Sequence, residues 1–426
     1  MTKCLLACGT MILLATAVAC GGLRSSSTPP SARVDGVVVD ADGEPAADVT
    51  VAIGEAVVTT DIDGRFSFDG IGAHYDATLA LKNTQSAYVF QEMTTRAPTL
   101  RIFDVALSAR SHEAHVRAEL PADMPPTTRV VVVAEAADAS ARVVDVHPTE
   151  TQDGIDVALR WIGDASTRVT LRAIAYEADA ATLAPTRYVG LATLADEPIG
   201  DGGTSAWRVS YEPVRETTLD ARVAAPPAHA VEWTSLFIDF GHGGHVAKLA
   251  DRLAPDANVR FVVPDVPGAT FSVSAFARAG EGLASVASDR AGAGAGYVSL
   301  DLPTVPLLRA PARGAVVLPD AEFAWQPLDA ARAIAAADVS WVYFGAEDQS
   351  DKSAPHVWLA TPESKTTLPD LRPLGIDLTK TPRGVWYVVA APSATTVEEA
   401  AESGLFRDGA GAGGNTAPWK YAVDGS

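Results

Sequence analysis

The chain has 426 residues and a formal net charge of −20, from 53 acidic and 33 basic side chains. Such a surface repels nucleic acid and anionic lipid head groups, so neither is an expected partner. The three cysteines are Cys4, Cys8 and Cys20, which leaves the body of the chain without a disulfide framework or a cysteine-held metal. Stability must come from hydrophobic cores, and the length calls for several of them, roughly two to four domains.

Lys3 gives a positive start, Leu5 to Val18 is a short apolar run, and Ala17-Val18-Ala19-Cys20-Gly21 is a small-residue junction. The run is too short, and too soon followed by polar residues, for a spanning helix. This segment resembles a bacterial lipoprotein signal. The resemblance implies cleavage before Cys20, lipid on the Cys20 sulfur and an extracytoplasmic, lipid-anchored address. With Gly21 rather than Asp after Cys20, the implied address in a diderm bacterium is the outer membrane. An ordinary secretory signal is the alternative. Residues 1–19 are read as signal peptide and 20–33, rich in Ser and Pro, as lipid anchor and flexible tether.

From Val34 the text becomes β-branched and alternating. Val37, Val39, Val49, Val51 and Ile53 share strand parity, and Phe66 and Phe68, two apart, point to one face. Asp42-Gly43-Glu44-Pro45 and Asp61-Ile62-Asp63-Gly64 read as turns: Gly43 and Gly64 permit positive φ, and Asp61 and Asp63 can accept from nearby backbone N–H groups. About seven short strands in residues 34–110 is the spacing of a β-sandwich. Gly36-Val37-Val38-Val39-Asp40, Gly43-Glu44-Pro45 and Thr60-Asp61-Ile62-Asp63-Gly64-Arg65-Phe66-Ser67-Phe68 resemble the carboxypeptidase regulatory-like domain. That family implies a transthyretin-like sandwich and an accessory role on secreted or outer-membrane proteins.

Residues 111–219 and 220–306 read as two further β-sandwiches that look like degenerate copies of one plan. His115 to Pro121 leads to a strand at Arg129 to Ala134, as Asp220 to Pro226 leads to Ser235 to Phe240. Residues 307–426 change tone. Phe323-Ala324-Trp325, the run Val339 to Phe344, His356-Val357-Trp358-Leu359 and Gly384-Val385-Trp386-Tyr387-Val388 resemble a fibronectin type III or immunoglobulin-like module. In such modules, Trp in an early strand and a Trp-Tyr pair in a late strand anchor the core. Thr395 to Leu405 is predicted as a short helix capped by Thr395 or Thr396, and Asp408 to Asn415 as a Gly/Ala-rich loop. The predicted fold class is therefore all-β, tandem β-sandwiches, with the aromatic-rich last module farthest from the anchor.

No motif asks for catalysis, and no enzyme or cofactor is expected. There is no G-x-S-x-G elbow, and Gly292 to Gly296 lacks the P-loop Lys and Ser/Thr. Asp61 to Gly64 starts like a calcium loop, but the sixth- and twelfth-position residues are wrong. Lys82 and Asn83 are adjacent and late, which disfavours an internal isopeptide cross-link. His242 and His245, with Asp239 and Asp251 near in sequence and His229 farther off, are the candidate metal ligands. They would carry the alternative reading, a secreted metal-dependent hydrolase. Their glycine neighbours Gly241, Gly243 and Gly244 favour a loop without a fixed site. The preferred reading is a non-enzymatic, surface-tethered protein with a binding, adhesive or scaffold role. Its expected partners are the membrane, through the anchor, and an unknown protein or carbohydrate ligand.

Overall fold

In the computed structural model 64% of the described residues are strand and 4% helix, the outcome that period-two alternation and frequent turn residues demand. The structure describes residues 32–423 apart from 42, 82–83, 104–110, 123, 126, 137–138, 147–153, 163, 181–183, 241–246, 253–257, 281–282, 293, 295, 328–338, 347–352, 382, 391–393, 405–410 and 416–418.

The first sandwich comprises β1 (Ala32–Val39), β2 (Thr50–Ile53), β3 (Ala56–Thr59), β4 (Arg65–Ile71), β5 (Tyr75–Leu81), β6 (Ser86–Met93) and β7 (Thr99–Arg101). One sheet runs β4-β1-β7, with β1 antiparallel to β4 and parallel to β7; the other contains β6-β5-β2-β3. The second sandwich comprises β8 (Ser111–Glu119), β9 (Thr128–Ala136), β10 (Ala139–Val146), β11 (Ile155–Ile162), β12 (Ser166–Ala178), β13 (Pro185–Gly200) and β14 (Thr204–Arg208). Its sheets run β11-β8-β14 and β10-β9-β12-β13, again with a parallel β8–β14 pair. The third comprises β15 (Glu216–Ala224), β16 (Ala230–Asp239), β17 (Ala247–Arg252), β18 (Asn258–Pro264), β19 (Thr270–Ala279), β20 (Leu283–Gly292) and β21 (Tyr297–Asp301). Its orders, β18-β15-β21 and β17-β16-β19-β20, are the same plan. The repeat suspected in the second and third modules thus extends to the first.

The last sandwich follows another plan. It comprises β22 (Pro306–Ala310), β23 (Ala315–Val317), β24 (Glu322–Pro327), β25 (Ser340–Ala346), β26 (His356–Thr361), β27 (Lys365–Thr367), β28 (Gly384–Ala390), the helix α1 (Val397–Ser403), β29 (Gly411–Asn415) and β30 (Trp419–Val423). β22-β24-β27 pack over a sheet in which β26, β25, β28, β30 and β23 lie side by side. The helix starts where the sequence indicates: Thr396 Oγ1 accepts from Glu399 N (3.1 Å), and Glu399 Oε2 accepts from Thr395 N and Oγ1 (both 2.7 Å), a reciprocal cap.

Two sequence expectations are corrected here. Residues 411–415 are not loop: β29 pairs antiparallel with both β20 and β28. Its glycines carry no strand propensity, so tertiary pairing imposes the strand. Nor does the last module stand farthest from the first. β26 pairs in parallel with β6, from His356 opposite Ser86 to Ala360 opposite Phe90. The two modules therefore share one sheet, and β29 joins it to the third sandwich, giving 14 strands in all.

That shared sheet has a core on each face. Tyr88 and Phe90 of β6 point into the first sandwich, where Trp341, Ala360 and Val389 of the last module and Val397, Ala400 and Ala401 of α1 join them. Ala87 and Val89 point the other way, into the core of the last sandwich with Phe323, Phe344, Leu359 and Trp386. This explains why Ser86 to Phe90 are buried without alternation. The second and third sandwiches are joined similarly. Val131, Val133, Ile174 and Tyr176, on the outside of the second, complete the core around Leu236, Phe261 and Phe271. There Phe240 lies under the guanidinium of Arg172 (4.7 Å), which is paired with buried Glu135.

α1 also clasps the first sandwich with polar contacts. Glu398 Oε1 accepts from Thr94 N (2.5 Å), Thr94 Oγ1 (3.0 Å) and Thr95 N (3.2 Å), and Arg101 Nε donates to Glu402 O (2.9 Å). Burial opposes ionisation of Glu398, but hydrogen bonds from Thr94, its own backbone and Thr95 outweigh it and hold the carboxyl below its usual range. Burial, and then the charge of Glu398, push Tyr75 up to about 12, so its hydroxyl stays a donor, to Thr95 O (2.6 Å). A depressed folded-state pKa stabilises above the unfolded value and loses that contribution as pH falls through the folded one. Glu398→Gln is therefore expected to melt below the parent at neutral pH. The two melting curves should converge below about pH 4; a constant offset down to acid pH would remove the ionised clasp.

Candidate binding surface

The turn residues singled out in the first module hold its corner. Asp61 Oδ1 accepts from Asp63 N (2.9 Å) and Arg65 N (2.8 Å), and Gly64 N donates to Asp61 O (2.9 Å). Gly64 has φ +69°, and a Cβ there would lie 2.4 Å from Val38 O. Gly64→Ala should cost about 2 kcal/mol or more, from positive φ and a backbone clash; thermal melting reads it, and a neutral result would refute the assignment. Gly43 has φ +90° and donates to Asp40 O (3.0 Å). In β1 the parity read from Val37 and Val39 is corrected. Val34 and Val38 are fully buried in the core, and Gly36 lies beneath the Phe66 ring, while Val37 lines an outer cleft. The run Val37-Val38-Val39 is apolar on both parities, and the Gly36–Phe66 pairing decides between them.

That cleft, about 520 Å³, mixes Arg33, Asp35, Asp61 and Arg65 with Val37 and Val58. Arg33 Nε donates to Asp35 Oδ1 (2.8 Å), and Asp61 is engaged in its turn. Its size suits a ligand, but Arg33, Asp35 and Asp61 already have partners within it.

Cys20, Lys82, Asn83, His242 and His245 lie outside the described residues. Asp239, the last residue of β16, is buried and ion-paired with Arg290 (3.7 Å). The side chain of Asp251 is likewise outside the described residues, and His229 sits on a turn with Nδ1 3.1 Å from Pro227 O. Among the described residues no group of three His, Cys, Asp or Glu could hold a metal, and no helix is long and apolar enough to cross a membrane.

The densest chemistry lies on the shared sheet, on the face that holds the first core. Tyr88 of β6 pairs with Trp358 of β26, Trp358 with Tyr343 of β25, and Tyr343 with Tyr387 of β28, giving four aromatics in register across four strands. Tyr343 is buried and Trp358 and Tyr387 are half-buried. The Tyr343 ring stacks on Tyr387 (4.8 Å, 27°) and lies 4.9 Å from Trp358. Trp358 and Tyr387 meet edge to face at 5.7 Å (84°), although β25 separates their strands. Both rings therefore lean over Tyr343. Gly345 makes this possible: a Cβ there would stand 2.2 Å from Tyr343 Oη. The Tyr343 hydroxyl is 2.6 Å from His356 Nδ1, which fixes the imidazole, and burial, then Tyr387, raise the pKa of that hydroxyl above its ordinary value. Phe103 closes the group on the first-module side, 5.4 Å from Trp358.

The sequence marks these aromatics as core anchors, which holds for Trp341 and Trp386. It does not reveal that Trp341, Tyr343, Trp358 and Tyr387 lie on the face opposite Trp386, outside the core of the last sandwich. The available signal is their spacing: Trp341 and Tyr343, and likewise His356 and Trp358, are two residues apart.

No family model matches the chain, and no curated protein does. Among solved structures, the Bacillus anthracis TIE protein is similar over 64% of this chain and 50% of its own length, at 7% identity and TM-score 0.15. The shaft pilin SpaA of Lactobacillus rhamnosus GG is similar over 44% of this chain and 100% of its own (8%, 0.16). A fimbrial assembly protein from Parabacteroides distasonis is similar over 51% of this chain and 95% of its own (8%, 0.18). The chain thus spans half the length of the Bacillus anthracis protein. Identities and scores this low define no family for it.

Proposed function

We propose that the chain is a non-enzymatic, lipid-anchored surface protein in which four β-sandwiches form one rigid scaffold for binding. The observation that carries this reading is the sheet shared by the terminal modules. It joins β6 to β26 and lays α1 over the first core, so the modules are braced rather than strung out. A braced stack suits presentation of a fixed surface, because preorganised sites lose little entropy on binding. The order β4-β1-β7 over β6-β5-β2-β3 supports the carboxypeptidase regulatory-like reading of residues 34–110. The Trp325 and Trp386 core supports the fibronectin type III-like reading of 307–426. Attachment is tested with Cys20→Ser: the variant should move from the membrane to the soluble fraction. Unchanged fractionation would count against the anchor.

A further inference from the structure

We infer that the Trp358–Tyr387 surface is a binding site for neutral carbohydrate, an assignment that rests on the reading of the chain as a surface binding protein. Sugars present a face of C–H groups and a rim of hydroxyls. They are held by aromatic faces, which carry negative quadrupole density, with polar groups at the ring edges. Both parts are present. Trp358 and Tyr387 are buttressed from below by Tyr343, so their position is set by packing rather than by binding. His356, held by the Tyr343 hydroxyl, stands in the adjacent row, opposite Gly345.

The charge pattern selects a neutral ligand. Three rows cross this face in register. They are Ser86, His356, Gly345, Val385 and Lys420; then Tyr88, Trp358, Tyr343 and Tyr387; then Phe90, Ala360, Trp341 and Val389. Most of these residues are buried, and the accessible ones, His356, Trp358, Tyr387 and Lys420, include no carboxylate. Lys420 is the single formal cation, at the margin, and the net charge of −20 repels anionic glycans. Among the described residues, an aromatic pair without an accessible carboxylate in its rows matches a partner that brings hydroxyls and C–H faces but no charge.

The test uses the full chain and three immobilised neutral polysaccharides: an α-glucan, a β-glucan and a mannan. Retention is read by affinity electrophoresis and by tryptophan fluorescence on titration with the soluble polymers. The parent should bind at least one, and Trp358→Ala and Tyr387→Ala should each weaken that binding about tenfold. Tyr387→Phe, which keeps the ring, should bind more tightly than Tyr387→Ala, and melting temperatures of all variants control for folding. Trp233→Ala, in the separate Trp233–Phe276 stack, should bind like the parent. Equal binding by the Trp358 and Tyr387 variants would overturn the site and leave the binding role standing. Failure to bind any of the polymers would overturn the ligand class. Aromatic-dependent capture of a protein instead would also overturn it, while preserving the broader reading.

Discussion

Replacing Trp341 by Ala is expected to destabilise two modules at once. The ring is fully buried on the shared sheet, edge-on to Phe90 at 5.7 Å and 5.2 Å from Phe103. Phe90 and Phe103 belong to the first module by sequence, and Trp341 to the last. Deleting a buried indole costs about 3–5 kcal/mol in lost transfer energy and residual cavity. The cavity would open at the seam, so the loss should not stay within residues 306–423. Chemical denaturation gives the magnitude, and native-state hydrogen exchange gives its extent, with faster exchange predicted in β6 as well as β25. Exchange that rises only in the last module would refute energetic coupling through the seam.

Phe66→Ala should cost a similar amount, about 3–5 kcal/mol. Phe66 and Phe68 are 5% and 4% exposed, and their rings meet edge to face at 6.0 Å. Phe66 also covers the backbone of Gly36, its cross-strand partner. Its removal therefore exposes strand backbone as well as leaving a void. Phe66→Ala and Phe68→Ala should be non-additive, with a coupling of about 0.5–1.5 kcal/mol in a double-mutant cycle. A total effect below about 0.5 kcal/mol for Phe66→Ala would contradict the core assignment.

Much of this core could be read in the sequence because its cause is local. Phe66 and Phe68 are two apart between turn residues, and a strand sends both to one side. Thr396 followed by Glu399 marks a helix start through contacts three residues long. The relation between modules could not be read this way. Ser86-Ala87-Tyr88-Val89-Phe90 and Gly384 to Ala390 are apolar on both parities, which signals burial on two faces but does not say against what. The pairing of β26 with β6 depends on which distant edges meet, and no short-range rule encodes it. β29 is the extreme case: Gly411-Ala412-Gly413-Gly414-Asn415 holds no strand preference, and its neighbours β20 and β28 supply the structure. The aromatic surface was hidden for the same reason. Its residues were visible, but the side of the sheet they occupy became apparent only once the strands were ordered.

The β6–β26 seam also sets a timetable for synthesis. Ser86 leaves the ribosome long before its partner His356. At roughly 5–20 residues per second that interval lasts tens of seconds or less. Throughout it, one edge of β6 carries unpaired backbone groups between two apolar faces, the kind of edge that templates aggregation. The N-terminal sandwich therefore cannot be finished when its own last residue is made. The chain matures by waiting for its end, and a nascent-chain truncation anywhere before β26 leaves the first domain open.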